Sequence, residues 1–164
     1  MSRRIEFRID DDLRILLNFD DYGAVLYYAY TVNKNLSLQL YKAIVSEYHY
    51  KLGSNLPLEG LSESDINAYL PTNNLPEVIT FITNQILPSL QLLPIDLDLA
   101  KKWNIGTSFE AFLMQQGNFF NYFNIDDIEQ NGFTIKYFIE VFIQLKDFLD
   151  EVKTKNTTYT ISII

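Results

Sequence analysis

The 164-residue sequence contains no cysteine, which excludes disulfides, thiolate zinc sites and cysteine nucleophiles. It contains one histidine, His49, so no metal site can be built from several imidazoles. A Ser–His–acid triad would have to use that residue, and no G-x-S-x-G elbow accompanies it. A glycine-rich phosphate loop and its lysine are also missing. No apolar run approaches the roughly 20 residues of a membrane-spanning helix. The opening "MSRRIEFRID" has two arginines with no apolar stretch behind them, unlike a secretory signal. These absences lead us to expect a cytoplasmic chain that does not bind membrane.

Positive charge is scarce in the middle of the chain. All four arginines, Arg3, Arg4, Arg8 and Arg14, lie near the N-terminus. Between Leu52 and Ile135 the only bases are Lys101 and Lys102, set against Glu59, Glu63, Asp65, Glu77, Asp96, Asp98, Glu110, Asp126, Asp127 and Glu129. The whole net charge of −8 therefore sits in that stretch. Such a field repels nucleic acid and favours encounter with a basic partner. An acidic surface also serves solubility alone, which is the plainer reading.

Aromatics are abundant, with 12 Phe and 11 Tyr, and 48% of the residues are hydrophobic. One domain spanning residues 1–164, with a core rich in aromatic rings, is the expected organisation.

"RRIEFRI" alternates, with Ile5, Phe7 and Ile9 on one side, and "LRILLNF" alternates likewise after the acidic turn 10–12. The pair predicts a hairpin ending at a second turn, "DDYG". The run "AVLYYAYTV", residues 24–32, is ambiguous between strand and helix, and its β-branched and aromatic content favours a third strand. Tyr41, Ile44, Val45, Tyr48 and Leu52 fall at helical spacing, predicting a helix from Leu38 that Gly53 stops. "SESD" at 62–65 predicts a capped short helix through Leu70. Asn74 and Pro76 open another, with Val78, Ile79, Ile82 and Ile86 as its stripe and Pro88 as its end. Further short helices are expected near 96–103 and from Thr107 to Gly117. The strongest pattern is Tyr137, Phe138, Val141, Phe142, Leu145, Phe148, Leu149 and Val152, an amphipathic helix followed after "KTKN" by the strand-forming tail "TTYTISII". The expected class is α+β: an antiparallel sheet from an N-terminal hairpin or meander and a C-terminal strand, packed against a helix-rich middle. The long helix and its tail are similar to the end of barstar-type inhibitors, with no specific motif in common, and no residue role follows from that.

The acidic run "NIDDIEQNG" (124–132) places Asp127, Glu129 and Asn131 at the first ligand positions of a calcium loop, but the closing position is Phe138, an apolar helix residue. A polar turn leading to a helix capped near Thr134 fits better. Asp96 and Asp98 suit helix capping more than metal binding. No catalytic residue, metal or cofactor is assigned. Two readings remain. In the first, a non-catalytic domain binds a basic protein, as an inhibitor or immunity protein does, through Asp126, Asp127 and Glu129 with Tyr122 as aromatic anchor. In the second, a small molecule or substrate enters a pocket lined by Tyr27, Tyr28, Tyr30 and His49.

Overall fold

The computed structural model describes residues 3–19, 21–99 and 134–164. Its sheet is built from β1 (Arg4–Arg8), β2 (Arg14–Asn18) and β3 (Thr160–Ile163), all antiparallel, in the order β2-β1-β3. The hairpin register pairs Glu6 with Leu16, and β1 pairs Glu6 with Ser162 on its other side. The period-two pattern behaves as expected: Ile5, Phe7, Leu17 and Ile161 point into the core, while Arg4, Arg14 and Leu16 face solvent. The connecting turn is held by the Asp10 carboxylate, which accepts from the backbone N–H groups of Asp12 and Leu13. The α+β architecture read from the sequence is the one observed.

The α-helices among the described residues are α1 (Asp21–Val32), α2 (Lys34–Ile44), α3 (Glu47–Gly53), α4 (Leu75–Phe81), α5 (Leu87–Gln91) and α6 (Ile135–Lys155). None of the helices among the described residues is long and apolar enough to cross a membrane. One cluster of buried side chains draws on all three strands and on α1, α2, α4, α5 and α6.

Residues 24–32 form a helix, not the expected strand. Tyr22, Ala24, Val25, Leu26, Tyr28 and Ala29 are all buried, so this helix is enclosed on most of its circumference and shows little amphipathic period. A short run that is apolar all round carries no period to separate helix from strand, and packing against α2 and the aromatic core overrides strand propensity. The "DDYG" turn signal is absorbed into the same helix, whose first residue is Asp21.

The helix expected from Leu38 to Leu52 is broken in two. Val45 is extended, and Ser46 caps α3 by accepting from the His49 N–H at 3.3 Å. Residues 67–70 supply the reason, because they compete for the backbone at the break. Tyr69 N–H donates to Val45 O (3.2 Å), Glu47 N–H to Asn67 O (2.8 Å) and Leu70 N–H to Lys42 O (3.0 Å). Gly53 lies buried inside the last turn, and the chain leaves the helix through Asn55, which is left-handed at φ 55°.

The same pairing removes the short helix expected over 62–70. Its capping contact does form, since the Ser62 N–H donates to the Asp65 carboxylate. Beyond it the chain is drawn into extended pairing, with Asn67 opposite Thr160 and the Ile161 N–H donating to Ile66 O at 2.7 Å.

Pro88 does not end its helix. A turn of 3₁₀ helix at Thr72–Asn74 leads into α4, and the chain then widens to π geometry over Ile82–Ile86 before α5. Leu87 N–H reaches back five residues to Ile82 O, which lets the chain pass a proline that has no N–H to give. Ile82, Ile86, Leu87 and Leu90 are buried, and that burial outweighs the cost of about 3 kcal/mol for an interior proline. Asn74 precedes α4 without a side-chain cap bond.

Helix α6 matches its pattern closely. Thr134 caps it by accepting from Tyr137 N–H (3.2 Å), and Asn156, left-handed at φ 49°, ends it. Phe138, Val141, Phe142, Leu145, Phe148, Leu149 and Val152 are buried. Phe148 meets Phe7 edge-on at 5.9 Å and Tyr159 at 5.6 Å, which fixes the helix across the sheet.

Candidate functional site

The sheet, α3 and the 62–65 turn enclose a cleft of about 420 Å³ lined by Arg3, His49, Glu63, Ile163 and Ile164. Each wall follows from the fold. Arg3 precedes β1, Ile163 and Ile164 close β3 beside it, and α3 brings His49 because Ser46 restarts the helix there. Behind the cleft, His49 also borders a small void shared with Tyr22, Val45, Ser46 and Ile161.

His49 is half-buried. Its Nδ1 lies 2.9 Å from Ser46 Oγ, and the neighbouring Tyr48 ring stands edge-on at 5.1 Å. Burial holds the His49 pKa below its ordinary value, and the Glu63 carboxylate acts in the opposite direction. The imidazole is therefore neutral near pH 7.

Ser46, His49 and Glu63 have the residue types of a catalytic triad, but the geometry gives them other work. Ser46 is 1% exposed and its Oγ serves as the cap of α3. A nucleophile must present its oxygen to a substrate, and this hydroxyl faces the protein.

A second concavity, about 290 Å³, is lined by residues 67–73 with Thr158 and Tyr159. Beside it Tyr69 stacks on Tyr50 at 4.0 Å, and Tyr50 is tilted against Tyr41 at 5.3 Å with Lys42 over its ring. Tyr159 donates its hydroxyl to Ala43 O, pinning the strand side of this cleft to α2.

Among the described residues, the four residues expected to line a pocket lie in different surroundings. Tyr28 is buried in the core, its ring near Phe138 (6.0 Å) and Phe142 (6.2 Å) and its hydroxyl hydrogen-bonded to Ser89. Tyr27 and Tyr30 pack partly buried against that core, and Lys34 lies over the Tyr30 ring. None of the three lines the cleft at His49. On α1 Tyr28 turns into the core, while Tyr27 and Tyr30, three residues apart, share a different, half-buried face.

Tyr122, Asp126, Asp127 and Glu129 lie outside the described residues, as do the expected helix from Thr107 and the calcium-like loop. Of the helix expected near 96–103, residues 96–99 are described, and Asp98 forms a bridge with Thr134. Among the described residues, no group of three or more His, Asp or Glu side chains is placed to hold a metal ion.

Sequence reading missed the contact between Tyr137 and Asp21. The Tyr137 hydroxyl donates to the buried Asp21 carboxylate, tying the start of α6 to the start of α1. Burial and this carboxylate push the Tyr137 pKa upward. The cue available in the sequence was Tyr137 at the edge of the apolar stripe, where a polar tip needs a partner.

No family model, no curated protein and no solved structure matches this chain.

Proposed function

We propose that the chain is a non-catalytic interaction protein whose acidic middle segment binds a basic protein partner, in the manner of an inhibitor or immunity protein. The observation that carries this reading is the confinement of the entire net charge of −8 to residues 52–135. Among the described acids of that segment, Glu59, Glu63, Glu77 and Asp96 are exposed, so a cationic surface can approach them. Asp126, Asp127 and Glu129 supply the charged contacts. Tyr122, which precedes them in the sequence, supplies the aromatic anchor. The test is affinity capture from lysate at low and at high salt with identification by mass spectrometry. A basic protein held at low salt and released at high salt supports the reading, and enrichment without basic proteins overturns it.

A small-molecule reading is favoured by one separate observation. The cleft at His49 sets a cation, Arg3, and a carboxylate, Glu63, beside the apolar Ile163 and Ile164. A thermal-shift screen of small zwitterionic metabolites tests it: stabilisation that disappears in Glu63→Ala supports this reading, and no stabilisation excludes it.

A further inference from the structure

Residues 66–68 close the β3 edge over a single ring of the ladder. Ile161 N–H donates to Ile66 O (2.7 Å) and Ala68 N–H to Tyr159 O (3.3 Å), around the facing pair Asn67 and Thr160. The next bond of an antiparallel ladder would run from Tyr159 N–H back to Ala68 C=O, and it is not made. The cause lies in the chain that follows. Tyr69 N–H is committed to Val45 O (3.2 Å) and Leu70 N–H to Lys42 O (3.0 Å), which draws 69–70 toward α2, and Pro71 has no N–H to offer. On the other side the chain runs back from Thr158 to the left-handed Asn156 that ends α6.

The two segments splay apart here, and the cleft of about 290 Å³ opens between them. At its head stand a backbone acceptor, Ala68 C=O, and a backbone donor, Tyr159 N–H, neither hydrogen-bonded to the backbone among the described residues. The described residues of the wall are all uncharged. Asn67, Thr72, Asn73 and Thr158 bring amide and hydroxyl groups, and Tyr69 brings a ring held by its 4.0 Å stack on Tyr50. The cleft lies at the C-terminal end of α6. Leu99 and Thr134, which bound residues 100–133, lie at the other end, where Ile135 N–H donates to Leu97 O, roughly 30 Å away along the helix.

We propose that this cleft binds a neutral N-acetylated amino sugar. The acetamido group is a secondary amide, whose C=O and N–H point in opposite directions in the trans form. One such group inserts into the opened rung, accepting from Tyr159 N–H and donating to Ala68 C=O. The sugar hydroxyls then meet Asn67, Thr72, Asn73 and Thr158, and the apolar face of the sugar lies against Tyr69. A peptide fits less well, because an extended chain gains its affinity from successive rungs and this edge offers one before Pro71. A charged ligand would meet no counter-charge in this wall. No charge takes part, so binding is indifferent to salt, unlike capture of a basic protein.

The experiment is a proton–nitrogen NMR titration of the full chain with N-acetylglucosamine, read at the Tyr159 amide in low and in high salt. The expected result is a saturating shift with a Kd on the order of 1 mM, the scale of a single small sugar, unchanged by salt. Glucose, which lacks the acetamido group, binds at least about tenfold more weakly. Asn73 and Thr158 are exposed, so Asn73→Ala and Thr158→Trp leave the melting temperature nearly unchanged. The first weakens the sugar and the second, by filling the cleft, abolishes its shift. No saturating shift at about 50 mM sugar, glucose binding as well as N-acetylglucosamine, or a shift that persists in Thr158→Trp overturns the proposal. Tighter binding of N-acetylalanine methylamide than of the sugar assigns the cleft to a peptide and overturns it as well.

Discussion

Raising the pH above that of ordinary tyrosine ionisation should unfold this protein cooperatively. Tyr22, Tyr41 and Tyr159 are 1%, 3% and 2% exposed. Burial pushes the pKa of each well above the usual value near 10. The folded chain therefore keeps the phenolic protons of these three residues, which the unfolded chain releases once the pH passes about 10. Stability contributed by these groups is complete below that pH and is lost as pH rises toward the folded values. The slope is about 1.4 kcal/mol per pH unit for each group, or roughly 4 kcal/mol per unit for the three. Against a total of about 5–15 kcal/mol, the fold should collapse within one to a few pH units above 10. Far-ultraviolet circular dichroism and tyrosinate absorbance, recorded on the same samples, should change together. Replacing the three residues by Phe should flatten the slope, at the cost in Tyr159→Phe of the bond to Ala43 O. Titration of every tyrosine near pH 10 with the circular dichroism unchanged would refute the burial of these hydroxyls.

Three further outcomes are expected. Phe142→Ala, at a fully buried position of α6 whose ring meets those of Tyr28 and Phe138, should cost about 3–5 kcal/mol in denaturant unfolding. Ser46→Ala removes the α3 cap together with the partner of His49 Nδ1 and should cost about 0.5–2 kcal/mol, measured the same way. The single imidazole should titrate below its ordinary pKa by NMR; because its folded value is lowered, acid favours the unfolded chain, and the stability it contributes is lost as pH falls through that value.

Much of the fold was legible wherever one periodicity acted alone. The hairpin and α6 each bury one face in the shared core, so period two and the helical stripe reported them faithfully. Two strand-forming termini pointed to one antiparallel sheet, and the structure sets β3 against β1 within it. The misreadings share a different cause. Helix α1 is buried nearly all round and so shows no stripe. The break at Val45 and the lost helix over 62–70 are one event, because residues 67–70 bond to the backbone on both sides of Ser46 and to β3. A pairing between distant segments leaves no mark in either local pattern. The helix that runs past Pro88 reflects burial winning over propensity, as at α1. Of the residues expected to line a pocket, Tyr27, Tyr28 and Tyr30 lie on α1, and none of them lines the cleft at His49. The cleft at His49 joins Arg3, Glu63 and Ile163, which are far apart in sequence, so no window of the chain announces it.

The acidic segment as the binding element is tested most directly by kinetics. The association rate of the captured basic protein should be measured at low salt with the wild-type chain and with the double variant Asp126→Lys, Asp127→Lys. Slower association of the variant, with a melting temperature nearly equal to that of the wild type, is the predicted result. Equal association rates for the two chains would contradict it.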